Sequence, residues 1–227
     1  MIKVIDAIPK RADITDAQFH AHWREPHGRL ALNIKPMRRY VQAHRIAYPA
    51  LGLPCGPYAG FAEVWLDDVP AALGLGSDPD YLRYLRPDEP NFCDQAGLKF
   101  LFTKEDIARA GPADGGAAPL FKLMQLVRRR PGLSEAVFQG EWGRGPAEVQ
   151  AAAALDLERH IRCRSVPETA TGMAPAFDAV REMGWRDAAA FEQARTRSPG
   201  AWRAMIFAPA VDPDSVTVVA LSEERFL

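Results

Sequence analysis

The feature that most constrains this chain of 227 residues is a motif that returns after about half its length. A short β-branched segment at residues 2–8 is followed by Pro9-Lys10-Arg11 and then by Thr15-Asp16-Ala17-Gln18, the pattern of a helix capping box. Phe19 and Trp23 come next, four apart and so on one helix face. Residues 120–127 repeat the strand, Arg128-Arg129-Arg130 follow, Pro131-Gly132 and Ser134 supply a turn and a cap, and Phe138 and Trp142 again stand four apart. Both aromatics are displaced by 119 residues from their counterparts. Residues 39–44 align with residues 159–164 at a displacement of 120, which pairs His44 with Arg164. Each copy continues with a strand (60–65 and 176–181), a helical region and a last strand (98–103 and 216–221). On this alignment Glu63 meets Ala179 and His27 meets Pro146.

Each copy therefore reads β-α-β-β-α-β, the ferredoxin-like arrangement. The expected fold is α+β: two tandem ferredoxin-like repeats, residues 1–108 and 119–227, joined by a small, Gly-rich linker at 109–118. Two helices cover one face of a four-stranded sheet and leave the other bare. Here the strands are apolar at both parities, with Val4 and Ile8 on one side and Ile5 and Ala7 on the other, so both faces should be buried. Packing sheet to sheet would close the copies into an intramolecular α+β barrel with a cavity between them.

The net charge of −1 lacks the concentrated basic face a nucleic-acid partner requires, and Arg128-Arg129-Arg130 is short enough to be a solvated strand end. No apolar run approaches the ~20 residues of a membrane span. The N-terminus has no long apolar region with a cleavage site, and Cys55, Cys93 and Cys163 are scattered and odd in number. These features lead us to expect a cytoplasmic protein with free thiols and no membrane partner.

The first copy resembles the EthD family of the dimeric α+β barrel superfamily. The residues that carry the resemblance are Phe19, Trp23, Pro26-His27-Gly28, Arg39-Tyr40-Val41-Gln42, the strand at 60–65 with Glu63, and Asp88-Glu89-Pro90-Asn91-Phe92. The second copy matches less well. The resemblance implies that any chemistry sits in the first copy, that the second completes the barrel as a built-in partner, and that no cofactor is needed.

His27 is the first candidate, because Pro26 should end or kink the helix and place an imidazole of ordinary pKa ~6.5 at an element end. Tyr40, Gln42 and His44 alternate along one strand and share a face. That face is expected to line the barrel cavity, with Val41 and Ala43 packing on the helices. His44 would be a second acid or base, and Tyr40 a donor to a developing oxyanion. On the matching face of the second copy, His160, Arg162 and Arg164 would make a cationic lining for a carboxylate or phenolate. Glu63, between Phe61 and Trp65, would orient a histidine, accept a proton or pair with Arg38 or Arg39. His22 and Trp23 join the substrate-binding candidates. No zinc spacing, P-loop, dinucleotide fingerprint or nucleophile elbow is present, so no metal site is expected.

Three functions fit these residues. The first is a cofactor-independent acid–base enzyme of lyase type (dehydration, decarboxylation, cyclisation or aldol cleavage) acting on a small aromatic or polyketide-like acid. The second is a non-catalytic ligand-binding protein serving an oxygenase. The third is a haem or oxygen-using barrel enzyme. Homodimerisation is compatible with all three.

Overall fold

The structure is a computed structural model that describes residues 1–112, 120–166 and 175–227. The strands are β1 (Ile2–Pro9), β2 (Arg39–Arg45), β3 (Tyr58–Leu66), β4 (Lys99–Arg109), β5 (Phe121–Val127), β6 (Arg159–Ser165), β7 (Ala179–Trp185) and β8 (Thr217–Arg225). The helices are α1 (Asp16–His22), α2 (Gly28–Ala31), α3 (Val69–Gly74), α4 (Glu135–Glu141), α5 (Pro146–Ala154), α6 (Ala188–Arg197) and α7 (Pro199–Ile206). No helix among the described residues is long and apolar enough to cross a membrane.

All eight strands close into one antiparallel barrel in the order β1-β3-β2-β8-β5-β7-β6-β4. The seams between the halves are β2 on β8 and β4 on β6. Closure explains why the strands are apolar at both parities. One face lines the barrel, the other packs under helices, and each half has its own outer core.

Two boundaries differ from the sequence reading. β7 begins at Ala179, not 176, because Asp178 just before it accepts the backbone N–H of Arg129 at 2.8 Å. In the observed registers Ile5 faces Glu63 in β1–β3, Met124 faces Glu182 in β5–β7, and Ala179 faces Val127. β4 runs to Arg109, the first residue of the expected linker, whose residues 113–118 lie outside those described.

The expected cavity between the sheets is filled. Eight strands enclose just enough room for side chains. An apolar group that includes Ile5, Phe61, Leu101, Met124, Val180 and Val219 occupies part of it. A charged cluster occupies another part. Lys3 pairs with Glu63 (2.5 Å), Glu105 (3.2 Å) and Glu182. Lys122 pairs with Glu63, Glu182 (2.9 Å) and Glu223 (2.7 Å), and Arg159 pairs with Glu223 at 2.5 Å. Glu63 thus has structural partners, but they are Lys3 and Lys122. Arg38 pairs with Asp67, and Arg39 stacks over Trp65. Glu63 is 1% exposed and neither orients a histidine nor reaches the open pocket.

Candidate functional site

The open pocket lies on the outer, helix-facing side of the first sheet. Its geometry starts at Thr15, whose hydroxyl accepts the Gln18 N–H (3.2 Å) while the Gln18 side chain accepts the Thr15 N–H (2.8 Å), the expected capping box. α1 then lays Phe19 and Trp23 on the sheet, both fully buried. As expected from Pro26, the chain leaves helical geometry, at Glu25 (φ −146°, ψ 126°). It re-enters a helix at Gly28, with His27 as the cap of α2. Gly60 in β3 makes room for the indole: a Cβ there would collide with the Trp23 ring and crowd the Ala43 carbonyl. Gly60→Ala should cost ~1–3 kcal/mol in urea unfolding. A cost below ~0.5 kcal/mol would mean the ring shifts freely.

The pocket, counting its mouth, encloses about 590 Å³. Its walls are mainly apolar, and its polar groups are Asp6, His27, Tyr40, Tyr81, Glu89 and Cys93. Burial pushes the Cys93 thiol up to about 12, so it stays protonated. Glu89 accepts from the Tyr81 hydroxyl and pairs with Arg86 at 3.2 Å.

His27 is 7% exposed and packs edge-on against Phe92 at 4.7 Å. Its Nδ1 lies 2.9 Å from one oxygen of Asp88, and His22 Nε2 lies 2.9 Å from the other. Burial alone would raise Asp88, but hydrogen bonds from His27, Asn91 and His22 outweigh it and hold the carboxyl well below its usual range. An ionised Asp88 only accepts, so Nδ1 of His27 donates to it, and in the neutral imidazole the lone pair is then on Nε2. No described residue bonds Nε2.

Asp6 is the residue the sequence reading missed. It sits on β1 opposite Ala62 and Phe100, on the same side as Val4 and Ile8. Its Oδ1 is shielded from water and has no hydrogen-bond partner. Burial, with a smaller push from Glu89, raises its carboxyl to about 8. The signal was a lone carboxylate between Ile5 and Ala7 in an otherwise apolar strand.

The expected residues distribute as follows. Tyr40, Gln42 and His44 do share a face, but it is the helix-facing one. Ala43 points into the barrel, in the same interior group as Phe61. Tyr40 and Trp23 line the pocket, while Gln42 and His44 lie behind Trp23, with the His44 and Trp23 ring centroids 4.5 Å apart. His22 buttresses Asp88 and does not line the pocket.

His160, Arg162 and Arg164 lie on β6 and do not line the pocket. Arg162 and Arg164 pair with Asp106 at 3.0 and 2.9 Å, and burial beside Arg181 and Arg162 lowers His160 to about 3. In the second half Arg181 on β7 faces Gln125 on β5, while in the first Ala62 on β3 faces Asp6 on β1. The Arg181 guanidinium bonds Glu148 and Gln125 and stacks on Trp142 at 4.8 Å. Small Ala62 lines the open pocket.

The described lining contains no lysine or arginine. A haem would bring two propionates to a pocket whose own charged groups are the carboxyls Asp6 and Glu89, so these residues do not fit that group.

Residues 11–96 match the model of the EthD domain. No curated protein matches the chain in sequence. Among solved structures it is similar to an anthrone oxidase-like protein, with 9% identity, coverage of 99% of this chain and 93% of that one, and a TM-score of 0.56. It is also similar to a mutant chlorite dismutase from Candidatus Nitrospira defluvii, with 10% identity, coverage of 99% and 92%, and a TM-score of 0.54. At these identities the likeness is one of fold. The match at 11–96 spans Trp23, His27, Tyr40, Asp88 and Phe92, which build the pocket. The match to the EthD domain thus lies in the half of the chain that holds the pocket, and the solved structures share the fold of the whole chain.

Proposed function

We propose that the first-half pocket carries acid–base chemistry on a small ring compound. The observation that supports this most is the pairing, in one apolar pocket, of an imidazole held by a carboxylate with a carboxyl that has an unbonded oxygen: His27 on Asp88, and Asp6. His27 Nε2 takes a proton from carbon next to a carbonyl. Asp6, largely protonated at pH 7, returns one to oxygen or to a leaving hydroxyl. This is the lyase or cyclase class of reaction.

The substrate class narrows. With two carboxyls and no cation in the described lining, the pocket favours a neutral ketone or phenol over a carboxylic acid. In this reading the halves are tandem ferredoxin-like copies, residues 1–108 and 119–227. The register matches Lys3 with Lys122 and Asp6 with Gln125, and the second copy serves as a built-in partner whose pocket Arg181 has closed.

The test uses the full chain and a panel of neutral ring ketones and phenols, followed by thermal shift and by turnover. Wild type should melt several degrees higher with a binding compound. Ala62→Arg should fold, since the other half holds arginine at that register position, and should lose both shift and turnover. His27→Gln should keep the shift and lose turnover ~10²–10⁴-fold. A compound that stabilises wild type and Ala62→Arg equally would sink this site. Binding without turnover in wild type would make the protein a ligand carrier, and turnover that consumes dissolved oxygen would make it an oxygen-using enzyme.

A further inference from the structure

We infer that Tyr40 is a fixed hydrogen-bond donor to a ligand oxygen in the pocket, its hydroxyl aimed by a one-way chain from His20 through His44 and Gln42. The ligand part of this rests on the pocket reading above; the chain itself does not.

The direction follows from what each atom can do. Gln42 Nε2 lies 2.6 Å from the Trp23 carbonyl oxygen, which can only accept, so the amide orientation is set. Gln42 Oε1 is then the atom that faces His44 Nε2 at 3.0 Å, and His44 must carry its proton there. A neutral imidazole has one N–H, so His44 Nδ1 accepts. The atom opposite, at 2.9 Å, is His20 Nδ1, which therefore donates. His44 is 3% exposed. The groups that face it are Arg24 and His20 from the α1 side, Glu224 from β8 and Gln42 on its own strand. Burial, then the Arg24 cation and His20, push it down to about 3 against the weaker pull of Glu224, so it is neutral.

The second amide hydrogen of Gln42 goes to Tyr40 Oη at 3.0 Å. Gln42 is fully buried, so water does not replace this bond. With its oxygen occupied as an acceptor, the Tyr40 hydroxyl turns its hydrogen the other way. No described residue accepts it, and Tyr40 lines the pocket. An amide link does not pass protons readily, so the chain orients Tyr40 rather than conducting to it. Gln42 and His44 are positioning residues. The ligand group that suits Tyr40 is an acceptor oxygen, such as a ring ketone or the enolate formed from it. The second half has no such chain: His160, Arg162 and Arg164 replace the three residues.

Two measurements on the full-length protein test this. In ¹⁵N-resolved NMR, His44 should be the neutral Nε2–H tautomer and should not titrate between pH 5 and 8. An Nδ1–H tautomer, or titration in that window, overturns the chain. The second compares binding of 1-tetralone with tetralin, the same ring frame without the oxygen. Wild type should favour the ketone tenfold or more, and Tyr40→Phe should erase the preference. Gln42→Glu offers an acceptor where the amide donated and draws the Tyr40 hydrogen away from the pocket. It should erase the preference as well, and should change nothing further in the Tyr40→Phe background. If that variant does not fold, Gln42→Met should cut the preference at least threefold. A merely structural Gln42 would weaken both compounds alike, with or without Tyr40. If wild type binds neither compound, the ligand class and the pocket reading fall together, while the tautomer still decides the chain.

Discussion

Lys122→Met should cost about 3–5 kcal/mol in urea unfolding at pH 7, the largest stability effect we expect from a single substitution in this chain. Lys122 is fully buried and meets Glu63, Glu182 and Glu223. Four acids (Glu63, Glu105, Glu182, Glu223) face three bases (Lys3, Lys122, Arg159), so the cluster already carries one more acid than base. Without Lys122 the surplus is two. Adding Glu182→Gln to Lys122→Met should recover about half of the loss, because one uncompensated charge goes with it. The pH dependence has a definite sign. Burial alone would raise Glu182 and Glu223, but Lys122 and its neighbouring cations outweigh it; Glu223 is lowered to about 2 and Glu182 lies well below its usual range. Their contribution is full above the unfolded value of ~4.3 and is lost as pH falls through the native values. Glu63, raised by burial and by Glu182, acts in the opposite sense, its ionisation costing stability as pH rises. Burial alone would lower Lys3 and Lys122, but the facing carboxylates raise both. Their contribution holds up to ~10.4 and is lost as pH climbs through the native values. A loss under ~1 kcal/mol for Lys122→Met would show that the cluster contributes little.

Asp6→Asn should be more stable than wild type at pH 9 by ~2–4 kcal/mol, and the gain should vanish near pH 4. Burial raises the native carboxyl to about 8, against ~3.9 unfolded. Taken alone, Asp6 therefore leaves stability undiminished below ~4, lowers it as pH rises towards 8, and changes nothing further above. Asparagine cannot ionise and removes the decline. The full span would amount to ~5 kcal/mol, and water entering the pocket mouth reduces it. The same substitution should lower turnover ~100-fold or more. A stabilising substitution that removes activity is the signature of a group held at a stability cost for its chemistry. Equal pH profiles for the two proteins would mean that Asp6 ionises normally and is not the acid.

Much of this architecture can be read from the residues. Phe19 with Trp23 and Phe138 with Trp142 each mark a helix laid on the barrel, Thr15 and Gln18 the start of the first, and Pro26 its break. Strands apolar at both parities call for burial on both faces, and the closed barrel provides it. The same property hides which face is which. When both sides of a strand are apolar, alternation groups Tyr40, Gln42 and His44 on one side but does not say whether that side meets barrel or helix, and one step of parity moves all three.

The charged residues were still less legible. Lys3, Lys122, Glu63 and Glu182 lie on four different strands, and only barrel closure brings them within ion-pair distance. The pocket is lined by the small Ala62 and by Asp6, which face each other on β3 and β1, and the missing partner of Asp6 cannot be seen along the chain. The sequence by itself determined the elements, their order and the candidacy of His27, because these follow from local periodicity, caps and breaks. Tertiary structure alone decided the location of the pocket and the protonation of its groups, because both depend on what strands distant in sequence bring near each side chain.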